Sequence, residues 1–212
     1  GWTMCFAQSI DRITANLIDV KPTFMLAVPR IFEKIYARIL SQLESGSATK
    51  KKIFHWASAL GSQVSQCKRT NQEIPLKVAL EYGVAYRLVF RKINKILGGR
   101  LRFLVSGGAP LAKEIAEFFH AAGILVLEGY GLSETTAAIS VNTPYKYKFG
   151  TVGQPFGDVQ IRLATDGEIL VKSLKVFSEY NQAPNETKEV LEDGWFKTGD
   201  IGEIDSEGFL RI

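Results

Sequence analysis

Three short segments of this 212-residue chain carry residues whose chemistry suits a nucleotide ligand. They are residues 106–110 (SGGAP), 128–134 (EGYGLSE) and 195–200 (WFKTGD). In the first segment, paired glycines let the main chain come close to a flat or anionic ligand, because no Cβ stands in the way. Taken alone, Gly107 and Gly108 would equally suit a tight turn between a strand and a helix.

The second segment offers contacts for a base, a phosphate and a metal ion. Gly129 and Gly131 flank Tyr130, whose planar ring could stack on a nucleobase. Ser133 offers a hydroxyl to a phosphate, and Glu134 offers carboxylate oxygen to a Mg²⁺ ion that keeps most of its waters. The spacing fits neither the dinucleotide fingerprint, which needs a third glycine, nor a Walker loop, which needs Lys followed by Ser or Thr. A strand-end turn with a surface glutamate is the plain alternative.

The third segment ends in Asp200, which directly follows a glycine. A carboxylate held in this way can accept hydrogen bonds from the hydroxyls of a ribose, as the acidic residue of dinucleotide sites does. Asp200 could also be an ordinary turn residue. The three segments thus offer contacts for a base, for a phosphate with its metal ion, and for a sugar. Because all of these contacts occur in one chain, nucleotide binding is favoured over the interpretation of the segments as three unrelated turns.

The elements that must position these segments predict an α/β chain. Residues 101–105 form a short apolar strand, 111–121 a helix and 124–127 a second strand, which is the β–α–β pattern of a parallel sheet. Ligands of such sheets bind at the carboxyl ends of the strands, where the first two segments fall. After residue 150, short alternating strands and glycine turns predict a small antiparallel, barrel-like sheet.

Composition excludes several other classes of protein. With 46% hydrophobic and 23% charged residues, the chain is typical of a globular protein rather than a disordered one. It has no run of about 18 apolar residues that could cross a membrane. The two cysteines and two histidines form no cluster in the sequence, so a structural zinc site is not expected. Two cysteines without an evident partner favour a reducing, cytoplasmic location.

The positive charge is concentrated in residues 47–102, which hold twelve basic and two acidic residues. Within them, Arg87, Arg91 and Lys95 recur at helical spacing. One interpretation is a solvated polar face, and the other is a surface that attracts anionic lipid headgroups or a polyphosphate. Nucleic-acid binding is not expected, because no module of stacking aromatic residues accompanies the basic residues.

The motifs resemble those of the AMP-forming adenylating enzymes, which include the acyl-CoA synthetases. Within that family, the segment VPRIFEKI from Val28 and a basic helical insertion over about residues 47–99 are most similar to the long-chain fatty acid group. The resemblance spans nearly the whole chain and implies an α/β subdomain over residues 1–150 and an antiparallel subdomain over 151–212. The other matching motifs, in the family's order, are SGGAPL from Ser106, EGYGLSETT from Glu128, GTVGQP from Gly150, GEILV from Gly167, GWFKTGDIG from Gly194 and GFLRI from Gly208.

The resemblance implies a two-step reaction with ATP, Mg²⁺ and CoA. A fatty acid carboxylate attacks the α-phosphorus of ATP to give acyl-adenylate and pyrophosphate, and the thiol of CoA then displaces AMP. Tyr130 would stack on the purine, Asp200 would bind the ribose, and Ser133 and Glu134 would be the catalytic pair, with Glu134 holding the metal. The full set of implied nucleotide-binding residues is Gly107, Gly108, Ala109, Glu128, Gly129, Tyr130, Gly131, Ser133 and Asp200.

Parts of the family pattern have no match in this chain. The phosphate loop expected upstream of VPR and the lysine-bearing domain expected downstream of residue 212 are absent, so we expect a central piece of a longer ligase that is inactive alone. Ser173 stands where the family commonly has glycine. The alternatives are an adenylating enzyme for another carboxylic acid and a non-catalytic module that binds a nucleotide or a lipid. Because long-chain acids partition into bilayers, the basic segment 47–102 could hold a cytoplasmic enzyme at the inner face of a membrane; the sequence indicates no oligomeric state.

Overall fold

A computed structural model describes residues 3–212 and divides them into two compact units. The first unit comprises residues 3–106 and 111–126, and the second comprises residues 107–110 and 127–212. This division falls earlier in the chain than the domain boundary predicted at residue 150. Gly1 and Trp2, with which the predicted first domain begins, lie outside the described residues.

The first unit consists of helices and a parallel pair of strands. The two strands pair from Phe24 with Phe103 to Ala27 with Ser106, in agreement with the α/β class predicted from the sequence. The elements in chain order are α1 (Ile13–Val20), β1 (Phe24–Ala27), α2 (Pro29–Glu44), α3 (Ala48–Arg69), α4 (Leu76–Ala85), a π-helical turn (Tyr86–Phe90), α5 (Arg91–Ile96), β2 (Phe103–Ser106) and α6 (Lys113–Ala121).

Local sequence explains how these helices begin and pack. Pro29 occupies the first turn of α2, where its missing N–H leaves no hydrogen bond unmade. Apolar residues on one face of α2, including Ile31 and Ile35, are buried. Helix α3 crosses α6 at Gly61, where an added Cβ would lie only 2.8 Å from the carbonyl oxygen of Ala121. Among residues 3–212, no helix has the length and apolar character needed to span a bilayer.

The second unit is built mainly from antiparallel strands. Its strand β3 begins in the first unit and pairs with β4, which pairs with β5. A four-stranded antiparallel sheet in the order β6-β7-β9-β8 and a β10-β11 hairpin complete it. The elements are β3 (Leu125–Leu132), a 3₁₀ turn (Ser133–Thr135), β4 (Ala137–Val141), β5 (Gln154–Pro155), β6 (Gln160–Leu163), β7 (Glu168–Lys172), α7 (Pro184–Val190), β8 (Leu191–Glu192), β9 (Trp195–Ile201), β10 (Glu203–Ile204) and β11 (Leu210–Arg211).

One apolar core joins β3 and β4 to the strands that follow residue 150. Tyr130 and Ile139 pack in the same cluster as Val159, Ile169 and Leu210. Main-chain hydrogen bonds of 2.8 Å also join residues 152 and 153 to Leu210. Residues 127–150 therefore belong to the second compact unit. The antiparallel sheet predicted after residue 150 is present, with β6 and β8 as its edges.

Strand β3 is longer than the sequence predicted. The pattern placed a strand at residues 124–127 and a turn after it, whereas the strand continues to Leu132. Pairing with β4, from Gly129 opposite Val141 to Leu132 opposite Ala137, provides the hydrogen bonds for this extension. The second glycine-rich segment is therefore mostly a strand, and only Ser133 and Glu134 lie in a turn.

Candidate functional site

The structure brings two of the predicted nucleotide-binding residues into direct contact. Tyr130 on β3 donates a hydrogen bond from its phenol Oη to Oδ2 of Asp200 on β9, at 2.6 Å. Seventy residues of sequence separate the two side chains, and both belong to the second unit. A hydrogen bond this short to a carboxylate is the charge-assisted kind, which holds both groups in one orientation.

Asp200 is oriented by its own main chain as well. Its N–H donates to the hydroxyl of Thr198 at 3.1 Å, and that hydroxyl donates to the carbonyl oxygen of Ile169 on β7 at 2.9 Å. Gly199 between them has a φ of +75°, a conformation that glycine adopts without strain. Its N–H donates to Oε1 of Glu168 at 2.9 Å. The position of Asp200 is therefore fixed from β7 and from β3.

Tyr130 is more buried than a simple stacking platform would be. Its side chain packs in the core cluster of the second unit and only 8% of the residue is exposed. Burial raises the pKa of the Tyr130 phenol well above its usual value, and the bond to Asp200 raises it further. The phenol therefore stays protonated and acts as the donor. Stacking of this ring on adenine stays a prediction, and it requires ring surface that the surrounding core largely covers.

The glycines around Tyr130 have different structural roles. An added Cβ on Gly131 would collide with the carbonyl oxygen of Ala137, so the close pairing of β3 and β4 itself demands glycine there. An added Cβ on Gly107 would meet only the carbonyl oxygen of Gly129, at an ordinary 3.7 Å. That distance also shows that the first glycine-rich segment lies beside β3. Gly108, with a φ of +83°, and Ala109 are exposed next to it.

The Ser133–Thr135 turn presents the predicted catalytic pair. The buried hydroxyl of Thr135 fixes the turn, accepting from the N–H of Leu132 at 2.9 Å and donating to the carbonyl oxygen of Ala137 at 2.9 Å. Ser133 is exposed, and its hydroxyl makes no hydrogen bond to any residue between 3 and 212. The turn therefore leaves the Ser133 hydroxyl available to a ligand, as the phosphate contact requires.

Glu134 has a partner that the sequence did not indicate. Tyr180 donates from its Oη to Oε1 of Glu134 at 3.0 Å, and the N–H of Phe177 donates to the main-chain oxygen of Glu134 at 2.7 Å. Partial burial and the bond to Glu134 both raise the pKa of the Tyr180 phenol. No motif in the SEYNQAP segment singles out Tyr180, because a tyrosine in a loop has many uses and its contact with Glu134 spans 46 residues.

Glu134 is the candidate for metal binding. Within the described part of the chain, no group of three or more His, Cys, Asp or Glu side chains could hold a metal ion. Tyr180 occupies Oε1 of Glu134, and no hydrogen bond from residues 3–212 involves Oε2. This arrangement fits a Mg²⁺ ion bound through one carboxylate oxygen, with the remaining ligands from phosphates and water.

Glu128, the remaining predicted nucleotide-binding residue, lies inside the protein. It is 6% exposed on β3, and its main-chain oxygen accepts from the N–H of Asn142 at 2.9 Å. Its position in the strand supports the pairing of β3 with β4. Contact of the Glu128 side chain with a nucleotide stays a prediction.

Curated proteins are similar to this chain over nearly its whole length. The long-chain-fatty-acid–CoA ligase FadD15 of Mycobacterium bovis is 40% identical over 211 residues, which cover 99% of this chain and 34% of that protein. The chain thus spans about a third of the length of this curated relative.

Solved structures share the fold. The N-terminal domain of FACL13 from Mycobacterium tuberculosis matches 96% of this chain and 42% of its own, with a TM-score of 0.63 and 21% identity. O-succinylbenzoate coenzyme A synthetase from Bacillus subtilis, in complex with ATP and magnesium, matches 96% of this chain and 34% of its own, with a TM-score of 0.58 and 21% identity. The model of the family described as AMP-binding enzyme matches residues 1–181. Because that match covers most of its length, the chain belongs to the AMP-binding enzyme family.

Proposed function

We propose that this chain is the nucleotide-binding part of a long-chain fatty acid–CoA ligase that forms AMP. The proposal depends mainly on the contact between Tyr130 and Asp200. This contact holds the carboxylate of Asp200, on β9, beside β3, which is the strand that bears the glycine-rich motif. The similarity to FadD15 supports a long-chain fatty acid as the substrate. The reaction is the one that the resemblance implies: acyl-adenylate formation from ATP, followed by transfer of the acyl group to CoA.

Each residue has a task in binding and orientation. Asp200 accepts hydrogen bonds from the ribose hydroxyls, while Tyr130 and Thr198 hold its carboxylate and main chain in place. Gly107 admits the nucleotide next to the main chain, since the fold itself leaves room there. Ser133 donates its hydroxyl to the α-phosphate. Together they place the reacting phosphorus, and such positioning supplies much of the rate in nucleotidyl transfer.

Mg²⁺ would be held by Glu134, whose carboxylate Tyr180 keeps in one orientation. When bound, the ion neutralises charge on the phosphate oxygens. We also propose that the whole enzyme works in the cytoplasm and contacts the inner face of a membrane through the basic segment 47–102. That location would bring it to long-chain acids dissolved in the bilayer.

Equilibrium binding of AMP to matched aspartate variants tests the ribose contact. Asp200→Asn keeps the size of the side chain and can still accept from Tyr130, but it loses the charge that binds the diol. Hydrogen bonds to charged groups contribute about 1.5–3 kcal/mol, so we expect AMP affinity to fall about 10- to 100-fold. Asp193→Asn is the control, because Asp193 is an exposed turn residue whose φ of +51° asparagine tolerates. Equal AMP affinity for the two variants would contradict the proposal.

A second pair of variants tests the metal site. Glu134→Gln removes the negative charge, and we expect Mg²⁺ to stop strengthening ATP binding. Glu179→Gln is the matched control, because Glu179 is exposed in the same loop as Tyr180. Retention of the full Mg²⁺ effect in Glu134→Gln would place the ion elsewhere.

A further inference from the structure

A row of apolar side chains faces outward along the helical stretch from residue 76 to residue 96. Leu76, Leu80, Val84 and Leu88 follow one another at four-residue spacing, and they are 76%, 66%, 51% and 50% exposed. We call these four residues the ridge. Soluble proteins seldom leave apolar side chains aligned and exposed unless the surface contacts something apolar.

Three residues of the ridge lie in α4, and the fourth, Leu88, lies in the π-helical turn. Four residues of an α-helix advance about 40° beyond a full turn, so a row at this spacing would drift around a purely α-helical segment. Across Leu76, Leu80 and Val84 this drift is about 80°. The looser turn over Tyr86–Phe90, whose hydrogen bonds span five residues, affects only the last step, to Leu88. Ala85, Phe90 and Ile93 remain buried at 0%, 1% and 3% on the opposite side. The ridge and these buried residues therefore lie on different sides of the helical stretch.

Basic side chains continue this surface beyond the ridge. Arg87, Arg91, Lys92 and Lys95 are all exposed. None of the four forms an ion pair with any residue from 3 to 212. The only acidic residue between positions 76 and 96 is Glu81. The face thus combines exposed leucines with unneutralised positive charge.

This combination distinguishes the ridge from the exposed apolar residues of β1. Phe24 and Leu26 are exposed on β1, an edge strand, and the open edge of a strand favours pairing with another strand. A packed protein interface is depleted of lysine, so Lys92 and Lys95 beside the ridge suit one poorly. A bilayer with anionic headgroups complements both parts of the face: the headgroups match the basic side chains, and the acyl layer matches the apolar ridge.

We propose that this face docks on an anionic lipid bilayer. The ridge inserts among the acyl chains, and Arg87, Arg91, Lys92 and Lys95 bind the lipid phosphates. The inference goes beyond the basic segment as a whole, because it assigns the contact to one face and gives the apolar ridge the central part. Only the purpose of the docking, which is access to acids dissolved in the membrane, rests on the proposed function. The docking itself requires no catalysis.

Vesicle flotation of the full-length natural protein tests the docking. The probes are phosphatidylcholine vesicles with and without phosphatidylglycerol. Each basic residue near an anionic surface contributes about a fivefold factor, so Arg87→Gln/Arg91→Gln/Lys95→Gln should weaken binding to the anionic vesicles about 100-fold. The control removes three exposed charges from the second unit, Lys146→Gln/Lys172→Gln/Lys188→Gln, and should change binding less than about fivefold.

The apolar half is tested with Leu76→Ser/Leu80→Ser/Val84→Ser, which should lower binding to the anionic vesicles at least about tenfold. Leu174→Ser, at a residue 95% exposed elsewhere, is its control. Circular dichroism checks folding, and the charge variant alone decides the outcome if the serine variant does not fold.

Three results would overturn the proposal. The first is that the charge variant and the serine variant bind vesicles as well as their controls do. The others are equal binding to neutral and anionic vesicles, and a dimer that the serine variant converts to a monomer. AMP affinity in solution separates this proposal from the proposed function. The charge variant and the serine variant should leave AMP affinity unchanged. Asp200→Asn should lower AMP affinity without affecting vesicle binding.

Discussion

The hydrogen bond between Tyr130 and Asp200 makes a quantitative prediction about stability. Tyr130→Phe removes one oxygen atom and keeps the ring in the core cluster, so little cavity forms. Hydrogen bonds to charged groups contribute about 1.5–3 kcal/mol, and the partial exposure of Asp200 places this one at the lower end. We expect Tyr130→Phe to lower the free energy of unfolding by about 1.5 kcal/mol.

A double-mutant cycle isolates the pair. Urea unfolding of the wild type, Tyr130→Phe, Asp200→Ala and the double variant gives the coupling energy between the two side chains, which we expect to be about 1 kcal/mol. A coupling energy below about 0.3 kcal/mol would refute the view that Tyr130 holds Asp200 in place. The matched comparison is Tyr130→Ala, which also removes the buried ring and should cost about 3–5 kcal/mol, as other large-to-small core changes do.

The pH dependence supplies a second readout of the same bond. Because folding raises the pKa of the Tyr130 phenol, the protonated form is favoured in the folded state. Its contribution to stability is complete below the ordinary tyrosine pKa of about 10 and is lost as the pH rises above it. Tyr130→Phe should therefore lose less stability than the wild type above about pH 10. An identical alkaline decline in both proteins would contradict the assignment.

Two further predictions concern buried and close-packed positions. Burial, with the nearby charges of Lys68 and Arg69, lowers the pKa of His120 to about 4, so the first unit should lose up to about 3 kcal/mol of stability as the pH falls from about 6.5 to about 4. His120→Asn should flatten that decline in urea unfolding; an unchanged slope would mean that another group titrates. Gly131→Ala should lower the urea midpoint sharply and Gly107→Ala hardly at all, yet Gly107→Ala should weaken AMP binding. Unchanged AMP affinity in Gly107→Ala would remove that residue from the site.

The sequence predicted the elements whose signals are local. The β–α–β pattern around α6 depends on neighbours in the chain, and its two strands and its helix are present. The length of β3 was not predictable in this way. Its last residues are strand because β4 pairs with them, and a glycine-rich pattern favours a turn until that partner is known.

Contacts between distant residues set the limit for the site as well. The resemblance indicated Tyr130 and Asp200, but nothing in the spacing showed that one would donate to the other across 70 residues. Tyr180 was missed for the same reason. The effect of Ser173 could not be judged from the sequence either. Its hydroxyl donates to Oδ2 of Asp158 at 2.8 Å and accepts from the N–H of Lys175 at 3.1 Å, so here it organises a surface loop.

The fold also separates residues that it needs from residues that it does not. Gly131 and Thr135 are explained by strand pairing and by the turn that follows, so their presence says little about a ligand. Gly107 and Ser133 have no such explanation, because a side chain would fit at Gly107 and the Ser133 hydroxyl bonds to nothing between residues 3 and 212. Both lie in segments that the motifs predict to bind the nucleotide. Binding by variants at these two positions therefore measures the site with the least interference from stability.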